Sequence, residues 1–350
     1  MVDESNTILA WDERTGQVTA RVELGRQGDV RWHLQAGGGF VWAFGSDGSV
    51  ALVDPATAKL LAPPMIEPRP HRGVVGMPFH AHGTMWIWGP DRVWRVPGSG
   101  EPSAAPIARD NDPVGGPVLA AATDRWVFFG CGRQLLRVDP QTGSVTDESR
   151  QLRAALESTR VPPPGGLDSM AAGPDNLVVA MGYNEPDIVI LDPDTIEPKR
   201  TTRVPDGSFI VTVYQSGPHI WALSENTAMR IGADAAGEPR LVRLNWIEAN
   251  SAVTALESLW VVHRDAQTLV RLHLPTGRIL ARLTIPEAFW DRPNFRIVAG
   301  RHTVWLICRI DLVGDGVYRV NPATNQVLRL AQPGDLDDAH AVVAAAPRSE

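Results

Sequence analysis

His33, His71 and His340 are the residues of this chain best suited to proton transfer. Each lies in or beside a connection between consecutive units of a repeat, and the three connections follow one another in the order of units. The connection just before them carries Trp290, Asp291 and Arg292. An imidazole titrates near neutral pH and serves as general acid or base. A carboxylate beside it tunes its proton affinity, and a guanidinium holds developing negative charge. His33, His71, His340, Asp291 and Arg292 are therefore read as a catalytic group, and Trp32, Arg72, Trp290 and His263 as substrate-binding residues. His263 opens the stretch His263-Arg264-Asp265, read as a turn that reaches the same face. The competing reading is that these are separate surface or core side chains that share no site.

Most connections of the same class place a carboxylate near the start of the following strand, as at Asp29, Asp110, Asp168, Asp206, Glu248 and Asp335. Asp and Asn side chains bond nearby backbone amides in turns, which accounts for such a pattern without any ligand. The alternative is an acidic funnel that attracts a cation or a cationic ligand. Asp335, Asp337 and Asp338 offer oxygen ligands of the kind Ca²⁺ or Mg²⁺ takes, but without the Gly and terminal Glu of an EF-hand loop. No metal site and no cofactor is expected, and that Asp cluster is the one place where a Mg or Ca ion is considered. The sequence contains no His-x-x-x-His, Cys-x-x-Cys, phosphate-cradling Gly loop or Gly-x-Ser-x-Gly elbow. Zinc protease, dithiol, P-loop and α/β-hydrolase chemistry thus lack their groups.

These residues are positioned by a repeat. The anchors Trp42, Trp86, Trp126, Val178, Trp221, Trp260 and Trp305 recur roughly every 43 residues, the spacing of radial blade arrays. Each anchor is followed by polar turn residues and an alternating strand. In several units a turn such as Asp139-Pro140-Gln141-Thr142-Gly143 comes next, with Pro presetting φ and Gly accepting a positive one. Each unit reads as inner strand a, Trp-bearing strand b, strand c, a tight turn and outer strand d, which is the blade of an all-β β-propeller. Residues 8–24 match strands c and d, and Ala339 to Ala345 read as a lone strand a. The expected architecture is therefore eight four-stranded blades closed by terminal strands that share one blade, with seven blades as the alternative. The longest unit contains a predicted short helix over 147–160, with Leu152, Ala155 and Leu156 on one face. It is read as a cover for an outer sheet edge, or else as a partner-docking element.

The repeat fills residues 1–350 without a linker, so a single domain is expected. A formal net charge of −7 and the lack of clustered Lys and Arg argue against a nucleic-acid surface. The first residues lack the cationic start and apolar core of a secretory signal, and no apolar run reaches membrane-spanning length. A cytoplasmic protein without membrane contact is expected. The two cysteines, Cys131 and Cys308, fall on opposite blades and are expected to remain unbridged.

The unit Gly-x-(Val/Leu)-Trp, polar turn, (Val/Leu)-x-Arg-(Val/Ile)-Asp-Pro-x-Thr-Gly resembles the YVTN and virginiamycin B lyase-like families of bacterial propellers. In the lyase, a His and Mg²⁺-bound carboxylates at the channel mouth open a cyclic depsipeptide by elimination. Pro70-His71 is similar to that family's entry to strand a. The family's Trp-Phe-Thr-Glu strand is replaced here by Trp42-Ala-Phe, Trp86-Ile-Trp and Trp305-Leu-Ile, so its metal ligands are not carried over. The pattern is also similar to that of eight-bladed quinoprotein dehydrogenases, whose chains are much longer and whose quinone and calcium ligands find no match. As an enzyme, the protein is expected to use the His-rich arc for cofactor-independent acid–base chemistry on a small molecule at the channel mouth, of lyase, cyclase or isomerase type and of the kind found in secondary metabolism. The alternative is a non-catalytic propeller that binds a ligand or a protein partner.

Overall fold

The computed structural model describes residues 7–24, 32–45, 49–61, 78–89, 92–97, 103–107, 119–159, 166–181, 187–204, 210–232, 239–244, 247–263, 268–285, 294–309 and 316–331. A hairpin of β1 (Thr7–Trp11) and β2 (Val18–Glu23) comes first. Blade 1 is β3 (Trp32–Gly37), β4 (Phe40–Gly45), β5 (Val50–Asp54) and β6 (Lys59–Leu61). Blade 2 is β7 (Pro78–Ala81), β8 (Thr84–Trp88), β9 (Arg92–Pro97) and β10 (Ser103–Pro106). Blade 3 is β11 (Leu119–Ala122), β12 (Val127–Cys131), β13 (Gln134–Val138) and β14 (Val145–Asp147), followed by α1 (Ser149–Ser158). Blade 4 is β15 (Leu167–Gly173), β16 (Asn176–Met181), β17 (Asp187–Leu191) and β18 (Pro198–Arg203). Blade 5 is β19 (Ile210–Ser216), β20 (His219–Ser224), β21 (Thr227–Gly232) and β22 (Arg240–Arg243). Blade 6 is β23 (Ile247–Ala255), β24 (Ser258–His263), β25 (Thr268–His273) and β26 (Ile279–Thr284). Blade 7 is β27 (Asn294–Ala299), β28 (Val304–Arg309), β29 (Gly316–Asn321) and β30 (Gln326–Ala331).

The protein is a β-propeller, and its described residues form seven four-stranded antiparallel blades, each with its strands side by side in chain order. The inner strands β3, β7, β11, β15, β19, β23 and β27 adjoin one another in sequence around the axis. The count of eight four-stranded blades is corrected: the unit expected to be shared by both termini is, among the described residues, the two-stranded sheet of β1 and β2. The hairpin lies between blades 7 and 1. Ile8, Val22 and Leu24 pack against Val41, Ala43, Ala51 and Val53 of blade 1, and Leu9 packs against Ile307 and Val317 of blade 7. The expected closing strand at 339–345 and the Asp335 cluster lie outside the described residues.

Strands b and c are sandwiched on both faces by neighbouring blades. The sequences of strand b therefore run continuously apolar where a half-buried strand would alternate. Every residue of Thr84–Trp88 and of Ser258–His263 is buried. The indoles of Trp42, Trp86, Trp221 and Trp260 are almost wholly buried between sheets. Three of them spend their N–H on the carbonyl that closes strand a: Trp42 on Gly37 (3.1 Å), Trp86 on Ala81 (3.2 Å) and Trp260 on Ala255 (3.3 Å). A buried indole donor needs such an acceptor.

The turns between strands c and d share one wiring. In blade 3 the Asp139 carboxylate accepts from the amides of Gln141 (2.7 Å) and Thr142 (3.1 Å), while the Gly143 amide donates to the Asp139 carbonyl (2.8 Å). Asp12, Asp192 and Asn321 repeat the side-chain pattern. The amides of Thr142 and Gln141 hold the Asp139 carboxyl below its ordinary value. Arginines on strand c then tie each such turn to the blade before it. The Arg137 guanidinium donates to the carbonyls of Pro193 (3.3 Å) and Asp194. That of Arg271 donates to the Pro322 carbonyl (2.6 Å), and that of Arg319 to the carbonyls of Glu13 and Arg14 in the hairpin.

Helix α1 forms where predicted and buries Leu152, Ala155 and Leu156. These side chains pack with Phe128 and Leu135 of blade 3 and Leu167, Leu177 and Val179 of blade 4. The helix takes over from a short outer strand and fills the wedge between two blades, which is more than covering an edge. No helix among the described residues is long and apolar enough to cross a membrane.

Candidate functional site

In a propeller, the d-to-a and b-to-c connections ring one face, here the mouth, and the a-to-b and c-to-d turns ring the other. His71, Arg72, Trp290, Asp291, Arg292 and His340 lie outside the described residues. His33 is placed by its backbone on β3, in register with Phe44. Trp32 and His263 are the candidates whose side chains are described.

Trp32 is buried. It is 2% exposed and packs with Ile8, Val22 and Val41 between the hairpin and blade 1, where a large aromatic fills the seam of two sheets. His263 is not in a solvated turn. It ends β24, in register with Ile247 on one side and Thr268 on the other. It is 9% exposed, and neither Nδ1 nor Nε2 has a hydrogen-bond partner. The Oγ1 of Thr268, directly opposite, is buried and equally unpartnered.

The equivalent places in neighbouring blades are closed. In blade 5, the Thr227 amide donates to the Ser224 hydroxyl (3.0 Å), which donates to the Thr227 carbonyl (3.3 Å). In blade 4, Asp187 opens strand c and is held by two bonds from Arg203, at 2.9 and 2.8 Å. Blade 6 thus breaks a pattern that its neighbours satisfy. A buried polar atom without a partner costs about 1–3 kcal/mol, and most buried polar atoms in folded proteins have one. A neutral imidazole offers one donor and one acceptor, and a hydroxyl offers both. The pair is built to meet a group that also donates and accepts.

A second polar element lies along the inner strands of blades 4 and 5. The register between β15 and β16 shifts between Leu167 and Ser169, leaving Asp168 as the extra residue of a bulge at the mouth end. Burial pushes its carboxyl above the ordinary carboxylate range. Ser169 accepts the Val213 amide (2.9 Å) and lies 3.4 Å from the Thr212 hydroxyl, linking β15 to β19. The phenol of Tyr214 continues the line with hydrogen bonds to Thr212 and the backbone of Ala252, while its burial raises its pKa.

Sequence reasoning placed Asp168 among the loop carboxylates and His263 at the mouth, but it missed Thr268 and Ser169. Aligning the ends of strand b and the starts of strand c would have exposed Thr268 as the register partner of an unusual histidine. The stretch His80-Ala81-His82 is divided between strand and turn. His80 is on β7, but His82 is in the turn with φ of 52°. The His80 ring rests on the backbone of Gly37 in blade 1, where any Cβ would collide with it. Burial lowers its pKa, as expected of a channel-wall residue. Among the described residues no group of three or more His, Cys, Asp or Glu side chains could hold a metal ion.

No protein-family model matches the sequence, and comparison with curated proteins finds no match. The fold, in contrast, is widely shared. The chain is similar to AztD from Citrobacter koseri, at 12% identity over 95% of this chain and 94% of that one, with a TM-score of 0.64. It is also similar to the computationally designed protein Ika8, at 16% identity over 87% of each chain and a TM-score of 0.61. At these identities the likeness shows the propeller scaffold alone. The resemblance to the YVTN and virginiamycin B lyase-like families therefore stands at the level of the scaffold.

Proposed function

We propose that this propeller binds a small uncharged molecule at the mouth end of blade 6, through the imidazole of His263 and the hydroxyl of Thr268. The observation that carries the reading is the register pair itself. Three side-chain polar atoms are buried without partners where blades 4 and 5 satisfy theirs. A hydroxyl, carboxamide or carbonyl-bearing ligand would supply the missing donor and acceptor.

Acid–base turnover of that ligand, of the lyase, cyclase or isomerase kind, is a second reading favoured by Asp168. Its raised carboxyl keeps a proton to higher pH than an ordinary Asp does, as a general acid must. In that reading His33, His71, His340, Asp291 and Arg292 would complete the proton-transfer set, with Arg72 and Trp290 beside the substrate.

Native mass spectrometry of the protein incubated with the small-molecule fraction of a cell extract tests the proposal. A retained mass that is lost in the His263→Leu, Thr268→Val double variant supports it; identical spectra for the two proteins sink it. Chemical conversion of the retained molecule, abolished by Asp168→Asn, would separate turnover from binding.

A further inference from the structure

Four c-to-d turns begin with Asp, at Asp12, Asp54, Asp139 and Asp192, and that of blade 7 begins with Asn321, but in blade 6 the same position is His273. The turn keeps its form, with the Gly277 amide donating to the His273 carbonyl (2.8 Å) and Nδ1 of His273 lying 2.9 Å from the Thr276 hydroxyl. What changes is the charge presented to blade 5. There, Arg230 stands on strand c in register with Trp221, as Arg271 does with Trp260 and Arg319 with Trp305. Arg271 and Arg319 donate to carbonyls of the next turn. Arg230 has no such bond. Its Nε is buried and unpartnered, and its Nη2 lies 3.4 Å from Nδ1 of His219.

Further cationic side chains gather at the same junction. Arg240 is the register partner of Arg230 on β22, and its side chain lies over Gly277, with Cδ 3.3 Å and Nε 3.6 Å from the position of an added Cβ. Arg278 follows that glycine and is exposed. The pKa of His219 is lowered by burial, then by the charges of Arg230 and His273. Among the described residues no carboxylate forms an ion pair with Arg230, Arg240 or Arg278. At the equivalent place between blades 2 and 3, Arg95 also has an unpartnered Nε, but it acts on the carboxylate of Asp139. Among the described residues, the junction of blades 5 and 6 has the arginine of that pair without the acid.

We infer that this junction, on the face opposite the mouth, binds a phosphate group, with Arg230 and Arg240 as its cationic ligands and His219 and His273 as further donors. A guanidinium fork matches the oxygens of phosphate, and paired arginines from two strands give it two such forks. Burial of the Arg230 Nε means that its hydrogen bond is made away from competing water. The site is separate from the one proposed at the mouth and does not depend on it.

The test is a titration of the purified full chain with sodium phosphate against sodium chloride at matched ionic strength, followed by calorimetry and by thermal unfolding. Phosphate should bind at one site and raise the unfolding temperature, and chloride should not. His273→Asp introduces the residue that four other turns use and supplies an anion within the chain. It should fold, be at least as stable as the parent, and weaken phosphate binding about tenfold or more. Arg240→Gln should weaken binding without touching the core. Cosedimentation with phosphatidylcholine vesicles, with and without phosphatidic acid, distinguishes a lipid phosphate from a soluble one. Undiminished phosphate binding in both variants, or no phosphate binding in the parent, overturns the inference.

Discussion

The junction of blades 3 and 4 and the junction of blades 5 and 6 are built on the same plan, yet one is closed and the other open. In the first, Arg137 reaches the carbonyls of the next turn, lies 4.7 Å over the Trp126 ring and pairs with the buried carboxylate of Glu148 at 2.5 Å. The Trp126 N–H donates to Asp194 (2.6 Å), which also takes a bond from Arg125 (2.8 Å). In the second, the corresponding arginine has a buried Nε with nothing to donate to, and the turn opposite begins with a histidine. At the junction of blades 3 and 4 the strand-c arginine and the neighbouring indole both find acceptors in the next turn. Where one residue type changes, partners go missing locally and a ligand can take their place. Blade 6 shows this at both ends, with His263 and Thr268 at the mouth and His273 on the opposite face.

The sharpest way to break the comparison is to open the closed junction. Removing Arg137 by substitution with Ala leaves Glu148, 3% exposed, as a buried charge without its cation. Breaking a pair of that kind costs about 3–5 kcal/mol. Urea unfolding should show a loss of that order, largely recovered when Glu148→Leu is added. A loss below about 1 kcal/mol would mean that the pair is too well solvated to hold the two blades together.

The open end of blade 6 predicts the opposite sign. His263→Leu and Thr268→Val each remove polar atoms that the empty protein buries without partners, so each should stabilise the chain by about 1–3 kcal/mol in the absence of ligand. In blade 5, Ser224→Ala removes a hydroxyl that makes two bonds with the Thr227 backbone and should destabilise. Measuring these variants by chemical denaturation tests whether the contrast between blades is energetic as well as geometric. Loss of stability at His263 would show that the ring makes bonds the geometry does not contain.

The ring itself was legible because its signals are local and repeated. The buried indoles and the Asp-Pro-x-Thr-Gly turn report on packing within a blade and between neighbours. The number of four-stranded blades was less legible, because Ile8 to Leu24 matches outer strands whether or not inner strands complete the sheet. At the site, residue type was a poor guide to exposure. Trp32 and His263 were chosen for their chemistry, yet a two-residue shift in a strand boundary decides whether such a side chain faces solvent or a neighbouring sheet. Thr268 and Arg230 carry no signature of their own. Their significance lies in a missing partner, which only the register of three strands and the neighbouring turn can reveal.

The pH dependence of stability sharpens the comparison further. Burial lowers the folded-state pKa of His80 below its unfolded value of 6.5, so the unfolded chain binds the proton more readily. Stability from this residue is therefore present above pH 6.5 and is lost as pH falls through that value toward the folded pKa. Asp168 has a raised folded pKa, so the folded chain holds its proton more readily. Its contribution is greatest at low pH and declines as pH rises from the unfolded value of 3.8 through the folded one. His80→Gln should flatten the stability profile around and below pH 6.5, and Asp168→Asn should flatten it just above pH 4. Profiles unchanged by either substitution would show that both groups are hydrated as they are in the unfolded chain.

The smallest effects come from the fifth position of the c-to-d turns, where the backbone is left-handed in every described case. Glycine occupies it at Gly16, Gly143 and Gly277, but blade 4 uses Ile196 with φ of 59° and blade 1 uses Ala58 with φ of 52°. A left-handed non-glycine residue costs about 1–2 kcal/mol. Ile196 is 1% exposed and packs into the cluster that α1 completes, and burying such a side chain contributes about 1.5–3 kcal/mol. Ala58 has only a methyl group to bury. Ile196→Gly therefore relieves strain but loses more in burial and chain entropy, and should cost about 1 kcal/mol or somewhat more. Ala58→Gly relieves similar strain against an entropy loss of about 0.5–1 kcal/mol and should stabilise by a few tenths. Opposite signs for one substitution at equivalent turns would show that the closed junction of blades 3 and 4 uses buried apolar area to hold strained backbone. Equal signs would mean that the turn alone sets the energy and that the wedge around α1 tolerates the loss of the Ile196 side chain.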